Sequence, residues 1–400
     1  MSTAMYENKE EPRPMKYPAV QAFEDILPIL GEFDAIIDVR SEAEFALDHI
    51  PGAINCPVLD NEERIRVGTM YKQVNAFEAK KVGAALVSRN IARHIETLFV
   101  DKPREWKPLI YCWRGGNRSG SMALVLSKIG WPAYQLDGGY KAYRAAVSAA
   151  LAAPPQLDFR VICGTTGSGK SRLLEVMDSL GAQVLDLEQL AAHRGSVLGH
   201  LPGAPQPSQK MFETSIWDKL RHFDPRRPVF VESESKKVGN LRVPDALMTQ
   251  MRAAPCISLT LSRPNRVRLL MEDYRHFTVD PALLNTQLDC LVQLHGRARI
   301  DAWHAMATGG QMPQLVDELL VDHYDPAYLR SIDRNFTRFR DARELALDDI
   351  GAGDFMGAAR ALMAEHEHEH EQGQDGFANH DGAAATPALM APAVPPAPAS

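Results

Sequence analysis

The stretch "LIYCWRGGNRSGSMA", residues 109–123, decides the fold. An apolar run ends in Cys112, a Gly115-Gly116 pair follows, and Arg118 and Ser119 open a helical pattern. A strand, a glycine turn and a helix in that order put Cys112 at the bottom of a loop facing a helix N-terminus. Successive backbone N–H groups of such a turn converge on one concavity and form an anion nest. The helix adds its positive end. With Arg118 and Arg114 nearby, this field favours thiolate over thiol. Cys112 is therefore the candidate nucleophile or group acceptor and Arg118 its charge partner. Arg114, Gly115, Gly116, Asn117 and Ser119 make up a cradle for a tetrahedral anion. The alternative is a buried structural cysteine at a strand end, which is the reading for Cys163 and Cys256.

Outward from this loop, "AIIDV" 35–39 and "AYQL" 133–136 read as further strands. Residues 62–100 have helical periodicity, with Val82, Leu86 and Val87 on one side. Strands alternating with helices predict an α/β domain with a parallel sheet over 16–148, after a flexible lead at 1–15. An Ala/Pro-rich linker at 149–158 follows. A second α/β domain over 159–363 takes its strands from "FRVICG" 159–164, "AQVLDL" 182–187, "PVFVES" 228–233 and "CISLTL" 256–261. From about Pro264 to Ala364 the text turns helical. Residues 364–400, low in complexity and opening on a His–Glu alternation, predict a disordered, solvating tail.

The second domain carries its own glycine loop. "GTTGSGKS", residues 164–171, follows a strand, precedes the amphipathic "RLLEVMDSLG", and fits the P-loop pattern in full. Gly164, Gly167, Ser168, Gly169, Lys170 and Ser171 are the predicted diphosphate-binding residues, with Ser171 also a possible Mg²⁺ ligand. Glu232 and Glu234 at the end of "PVFVESES" are the candidate acids for a metal partner, with strand-end solvent exposure as the alternative; Asp186 is a weaker candidate of the same kind. The irregular, polar "HRGSVLGHLPGAPQPSQKMFE", 193–213, contributes Arg194, Gln209 and Lys210 as candidate substrate or RNA contacts. The basic runs "SRPNRVRLL", "HGRAR" and "RSIDRNFTRFRDAR" add Arg338 and Arg340, interleaved with Phe336 and Phe339 that are either stacking faces or core.

The bulk composition is that of a soluble globular chain, 45% hydrophobic and 24% charged, with no apolar run long enough to span a bilayer. Five scattered cysteines without a CxxC pair argue against a disulfide framework or zinc site and for a reducing, cytoplasmic setting. The formal charge of −7 does not exclude a nucleic-acid partner. Six acids and no Lys or Arg follow Met363, and without them the body is near neutral. No tightly bound cofactor is expected.

"IDVRSEAEFALDHIPGAINCP" 37–57, "YCWRGGNRS" and "LDGGYKAYR" 136–144 together resemble the rhodanese domain, in which a loop cysteine carries a chalcogen atom. The resemblance implies that Asp38 and Arg40 organise the active-site side of the sheet; on the residues alone they are equally structural strand-end groups. Five residues separate Cys112 from Arg118 where simple rhodaneses have four. That wider loop is similar to the Cys-x5-Arg loop of cysteine-dependent phosphatases. A rhodanese domain joined to a P-loop domain, with "HRGS", "QPSQKMFE" and "VFVESES", resembles the bacterial tRNA 2-selenouridine synthase family over roughly residues 16–363. The resemblance implies a wobble 2-thiouridine of tRNA as substrate, S-geranylated by geranyl diphosphate at the P-loop. Selenium from selenophosphate then replaces the sulfur through Cys112. A rhodanese-type sulfurtransferase or a Cys-x5-Arg phosphatase coupled to an ATP-binding P-loop domain is the alternative.

Overall fold

The computed structural model describes residues 17–378 except residue 197, with side chains from 366 onward left aside. The predicted lead at 1–15 and the end of the predicted tail, 379–400, lie outside the described residues. In the first domain five parallel strands, β1 (Ala19–Gln21), β2 (Ala35–Asp38), β3 (Ala53–Asn55), β4 (Pro108–Tyr111) and β5 (Tyr134–Leu136), are ordered β1-β5-β4-β2-β3. All four residues of β4 are buried because the strand is central and covered on both faces, which is why it reads as a continuous apolar run. Cys112 follows directly at its carboxyl end, where ligands of α/β sheets bind.

The second domain repeats the plan. Strands β6 (Phe159–Cys163), β7 (Gln183–Leu185), β8 (Val229–Glu232), β11 (Cys256–Leu261) and β12 (Arg343–Leu347) form a parallel sheet ordered β12-β11-β6-β8-β7. A small antiparallel pair, β9 (Lys237–Val238) and β10 (Leu241–Arg242), stands apart. β6 is central, and the P-loop leaves its carboxyl end into the helix Lys170–Ser179.

Three expectations change. The region after Pro264 is not wholly helical, because Arg343–Leu347 returns as a strand paired along its length with β11. The helix Gly139–Ala152 runs into the stretch expected to be linker, which leaves helical form only at Ala153. The last helix, Ala352–Ala378, carries its backbone past residue 364 into the low-complexity text.

One apolar core joins the two domains. Tyr143, Val147 and Leu151 of the first pack in a single cluster with Phe212, Ile216 and Trp217 of the second. Tyr143 Oη donates to Thr214 Oγ1 at 3.0 Å, and Arg144 reaches Asp48 of its own domain and Glu213 across the boundary.

Candidate functional site

The Cys112 loop is built by two glycine turns pressed together. Gly115 has φ +64° and Gly139 φ +56°, both in the left-handed region. A Cβ on Gly139 would lie 2.3 Å from the Cys112 carbonyl oxygen and 2.4 Å from Gly115 N; one on Gly115 would lie 2.5 Å from the Leu136 carbonyl oxygen. The contact is sealed by Tyr140 N–H donating to Cys112 O at 2.8 Å and Lys141 N–H to Trp113 O at 3.0 Å. Gln135 Nε2 donates to Gly115 O from below. The turns "RGG" and "DGG" therefore depend on each other although twenty residues separate them.

Cys112 is 4% exposed on the floor of this loop, while Trp113, Arg114, Gly116 and Asn117 above it are exposed. Ser119 Oγ donates to its sulfur at 3.2 Å. Burial pushes the thiol up, but hydrogen bonds from the Ser119 hydroxyl, from the backbone N–H groups of Ser119 and Arg114, and the charge of Arg118 together carry it below the ordinary thiol value. The neighbouring Cys56 goes the other way, pushed by burial and by Asp38 to about 12. Cys163 and Cys256 are buried thiols in mutual contact, and Cys163 is driven far up.

Arg118 is not free. Its Nη1 lies 3.0 Å from Glu44 Oε2, and Arg64 Nε pairs with the same carboxylate at 2.7 Å. Glu44 also closes the capping box with Ser41 at the start of the helix Glu42–Leu47. It fixes where Arg118 points, and only the S-x-x-E pattern at 41–44 hints at it in the sequence. Asp38 and Arg40 form a fully buried pair; Arg40 also donates to Asp48 O at 2.6 Å and lies 4.0 Å over the Tyr140 ring. They stiffen the floor below the loop and are too buried to meet substrate. Losing either partner would strand a buried charge, at a cost of roughly 3–5 kcal/mol.

In an alkylation assay in a Cys290→Ser background, which removes the exposed thiol, Cys112 is expected to react with a midpoint below that of a free thiol. Because its pKa is lowered, the reactive thiolate persists to lower pH. Ser119→Ala is expected to raise the midpoint by about one pH unit, the worth of one hydrogen bond to a charged group. A midpoint unmoved by that substitution removes Ser119 from the activation of the thiol.

At the P-loop, Gly167 (φ +77°) and Gly169 (φ +91°) make the turn, and Lys170 Nζ is folded back onto Gly164 O at 2.7 Å. Ser171 Oγ donates to Glu188 Oε2 at 3.0 Å. Sequence reasoning passed over Glu188, whose signal was the "DLE" directly after β7. Glu232 and Glu234 are buried and not solvent-facing strand-end groups. Glu232 Oε1 accepts the Glu188 N–H at 2.9 Å, and its Oε2 has no partner among the described residues. Burial first, then the charge of Glu188 and a hydrogen bond shared with it, hold Glu234 well above the carboxylate range. Asp186 caps the short helix Leu187–Leu190 through Gln189 N–H and is pushed by burial to about 6.

A cavity of about 360 Å³ opens over this loop, lined by Lys170, Ser171, Glu188, Arg194 and Glu234 among others. Arg194 is thus brought to the P-loop, its guanidinium 5.3 Å over the Tyr274 ring. Sharing a rim of Thr166, Ser196, Leu270, Tyr274 and Tyr324 with it, a smaller apolar recess of about 60 Å³ is walled by Phe277, Leu284, Met312, Leu315 and Leu319. Arg266, from one of the basic runs, is a buried strut that holds Thr166 O and pairs with Asp325 at 2.6 Å.

The other candidates scatter. Gln209 is used locally, bonded to Arg242 O and N at 2.8 Å and to Glu213. Lys210 and Arg338 are exposed away from the P-loop cavity, and Arg340 pairs with Asp333. Phe336 is core, so it offers no face to a base. Arg263, Arg268, Arg297 and Arg299 are likewise matched with acids at the surface, pairs worth about 0–1 kcal/mol each. The runs "SRPNRVRLL" and "HGRAR" are charge-balanced faces, whereas in "RSIDRNFTRFRDAR" Arg340 and Arg343 are paired and Arg330, Arg334 and Arg338 have no ion-pair partner among the described residues.

The chain thus carries, on one shared core, a thiol polarised at a glycine loop and a P-loop bordered by an apolar recess. Residues 23–146 match the Rhodanese-like domain family, and residues 157–289 match the tRNA 2-selenouridine synthase AAA domain. The chain is 34% identical over 265 residues to the tRNA 2-selenouridine synthase of Nitrosomonas europaea, covering 65% of this chain and 68% of that one. It is 32% identical over 337 residues to the enzyme of the same name from Alcanivorax borkumensis, covering 76% and 91%. The Aeromonas salmonicida enzyme of that name is 29% identical over 356 residues, covering 81% and 95%. The chain belongs to the tRNA 2-selenouridine synthase family. Among the described residues no helix is long and apolar enough to cross a membrane.

Proposed function

We propose that this enzyme converts a 2-thiouridine of tRNA to 2-selenouridine in two stages, one at each loop. At the P-loop, the thiocarbonyl sulfur attacks C1 of geranyl diphosphate; the carbon–oxygen bond breaks and diphosphate leaves. At the Cys112 loop, selenophosphate is held in the tetrahedral-anion cradle; the thiolate attacks its phosphorus, the phosphorus–selenium bond breaks and selenium is released as hydroselenide. The selenium attacks C2 of the base, the carbon–sulfur bond breaks and geranyl thiol leaves, while water frees the phosphoryl group from Cys112 as phosphate, with no net oxidation or reduction. Alkylation makes the second stage possible, because sulfur leaves from an S-alkyl carbon far more readily than from a thiocarbonyl.

The observation that carries this reading is the apolar recess beside the P-loop. A nucleoside triphosphate needs a polar slot for its base and sugar, whereas Phe277, Leu284, Met312, Leu315 and Leu319 form a hydrocarbon wall. Lys170, Arg194 and the loop amides would neutralise the departing diphosphate. The Ser171 hydroxyl and the Glu188 carboxylate, hydrogen-bonded to each other beside the loop, would hold Mg²⁺. Bound there, it would add charge neutralisation at the diphosphate. Among the described residues no group of three acids, histidines or cysteines is disposed to chelate a metal without substrate.

The test is nucleoside mass spectrometry of 2-thiouridine tRNA incubated with the enzyme and each small substrate in turn. Geranyl diphosphate alone is expected to give the S-geranyl nucleoside, and selenophosphate added afterwards the selenonucleoside. Competition for the P-loop by geranyl diphosphate should far exceed that by ATP. Tighter binding of ATP would instead favour the coupled sulfurtransferase.

A further inference from the structure

The helices Asn61–Gln73 and Ala76–His94 form an antiparallel finger inserted between β3 and β4. Its root is tied to the Cys112 loop. Arg64 shares Glu44 with Arg118, and Glu63 accepts from Asn90 Nδ2 at 2.6 Å and pairs with Arg89. From there thirteen residues of helix extend about 20 Å outward. The first helix buries none of its residues, and at the tip every position from Tyr71 to Phe77 is exposed.

The tip is unlike ordinary surface. Tyr71 is 56% and Phe77 69% exposed, with Lys72, Lys80 and Lys81 between and beside them; Lys81 Nζ lies 5.0 Å over the Phe77 ring. From Asn61 to His94 the finger carries seven Lys or Arg against three Glu, in a chain whose body is near neutral. Arg66, Lys72 and Lys80 have no ion-pair partner among the described residues, whereas every arginine of "SRPNRVRLL" and "HGRAR" is matched. Exposed aromatic faces among unmatched cations at the end of a rigid arm suit a polyanion with flat bases.

We propose that this finger is an RNA-docking arm. It grips the backbone and an unstacked base of the same RNA whose target base stands over Cys112. The inference rests on the function proposed above, since an RNA that presents one nucleotide to the cradle necessarily continues past it as a chain of phosphates. Lys72 and Lys80 neutralise phosphates, and Tyr71 and Phe77 offer stacking faces.

The full-length chain is titrated with fluorescently labelled 2-thiouridine tRNA over a range of salt concentrations. Lys72→Glu/Lys80→Glu is expected to weaken binding tenfold or more near 0.1 M salt. It should also flatten the slope of log affinity against log salt by about 1 to 2. Tyr71→Ala/Phe77→Ala is expected to weaken binding at least fivefold and leave that slope unchanged. Lys72→Arg/Lys80→Arg should bind as the wild type. All these positions are exposed, and unchanged circular dichroism confirms folding. Variants that bind like a normally binding wild type overturn the arm. So does retained tRNA binding with loss of co-sedimentation on anionic phospholipid vesicles, which would assign the tip to a lipid surface. A wild-type chain that binds no tRNA overturns the functional reading itself, and the arm with it.

Discussion

Cys112→Ala is expected to abolish selenium incorporation while S-geranylated tRNA accumulates. The substitution removes the only thiol that Ser119, two backbone N–H groups and Arg118 jointly stabilise as an anion, and it leaves the P-loop untouched. A loss of at least about a thousandfold is expected, as for removal of a nucleophile in other enzymes. Digested tRNA analysed for both modified nucleosides gives the result. The diagnostic feature is the pairing of a lost product with a gained intermediate, because a merely misfolded protein would lose both. Selenium delivery near the wild-type rate would remove Cys112 from the mechanism.

Lys170→Ala is expected to produce the opposite pattern, with no geranyl nucleoside and an unchanged alkylation profile of Cys112. The Lys170 ammonium rests on the Gly164 carbonyl, a contact that an incoming phosphate oxygen can replace. Removing a cation that meets charge developing on a leaving group typically costs about a hundredfold or more in rate. Supplying tRNA already carrying the S-geranyl group should restore selenium incorporation in this variant. If it does not, the two loops are not separable stages.

The two sites were legible for one reason: each follows a central strand. β4 and β6 are covered on both faces and so appear as unbroken apolar runs, "LIY" and "VIC", that point at their loops. The strands of the two main sheets that escaped reading are β1, β3 and β12, all three sheet edges, and the two-residue strands of the pair β9–β10 escaped as well. β1 and β3 are only three residues long, and β12 alternates half-buried with exposed positions, so neither length nor pattern distinguishes them from loop. The supporting residues were hidden for another reason. Glu44 reaches Arg118 across 74 positions and Arg266 reaches Thr166 across 100. Such pairings belong to the folded topology, and no local spacing announces them. The arginine runs misled in the converse way. Their acids, such as Asp317, Asp349 and Asp322, come from distant turns of the chain.

The continuous core through Tyr143 and Trp217, braced by Arg144, has a mechanical consequence. With the two sheets packed through one interior, any hinge between them would have to open that core, and the packing sets the separation between sulfur and P-loop lysine. In the two-stage reading proposed above, the travelling part is the nucleic acid, re-seated as a whole from one mouth to the other between the stages, and the alkyl tag on its base would mark for the second mouth that the first has finished.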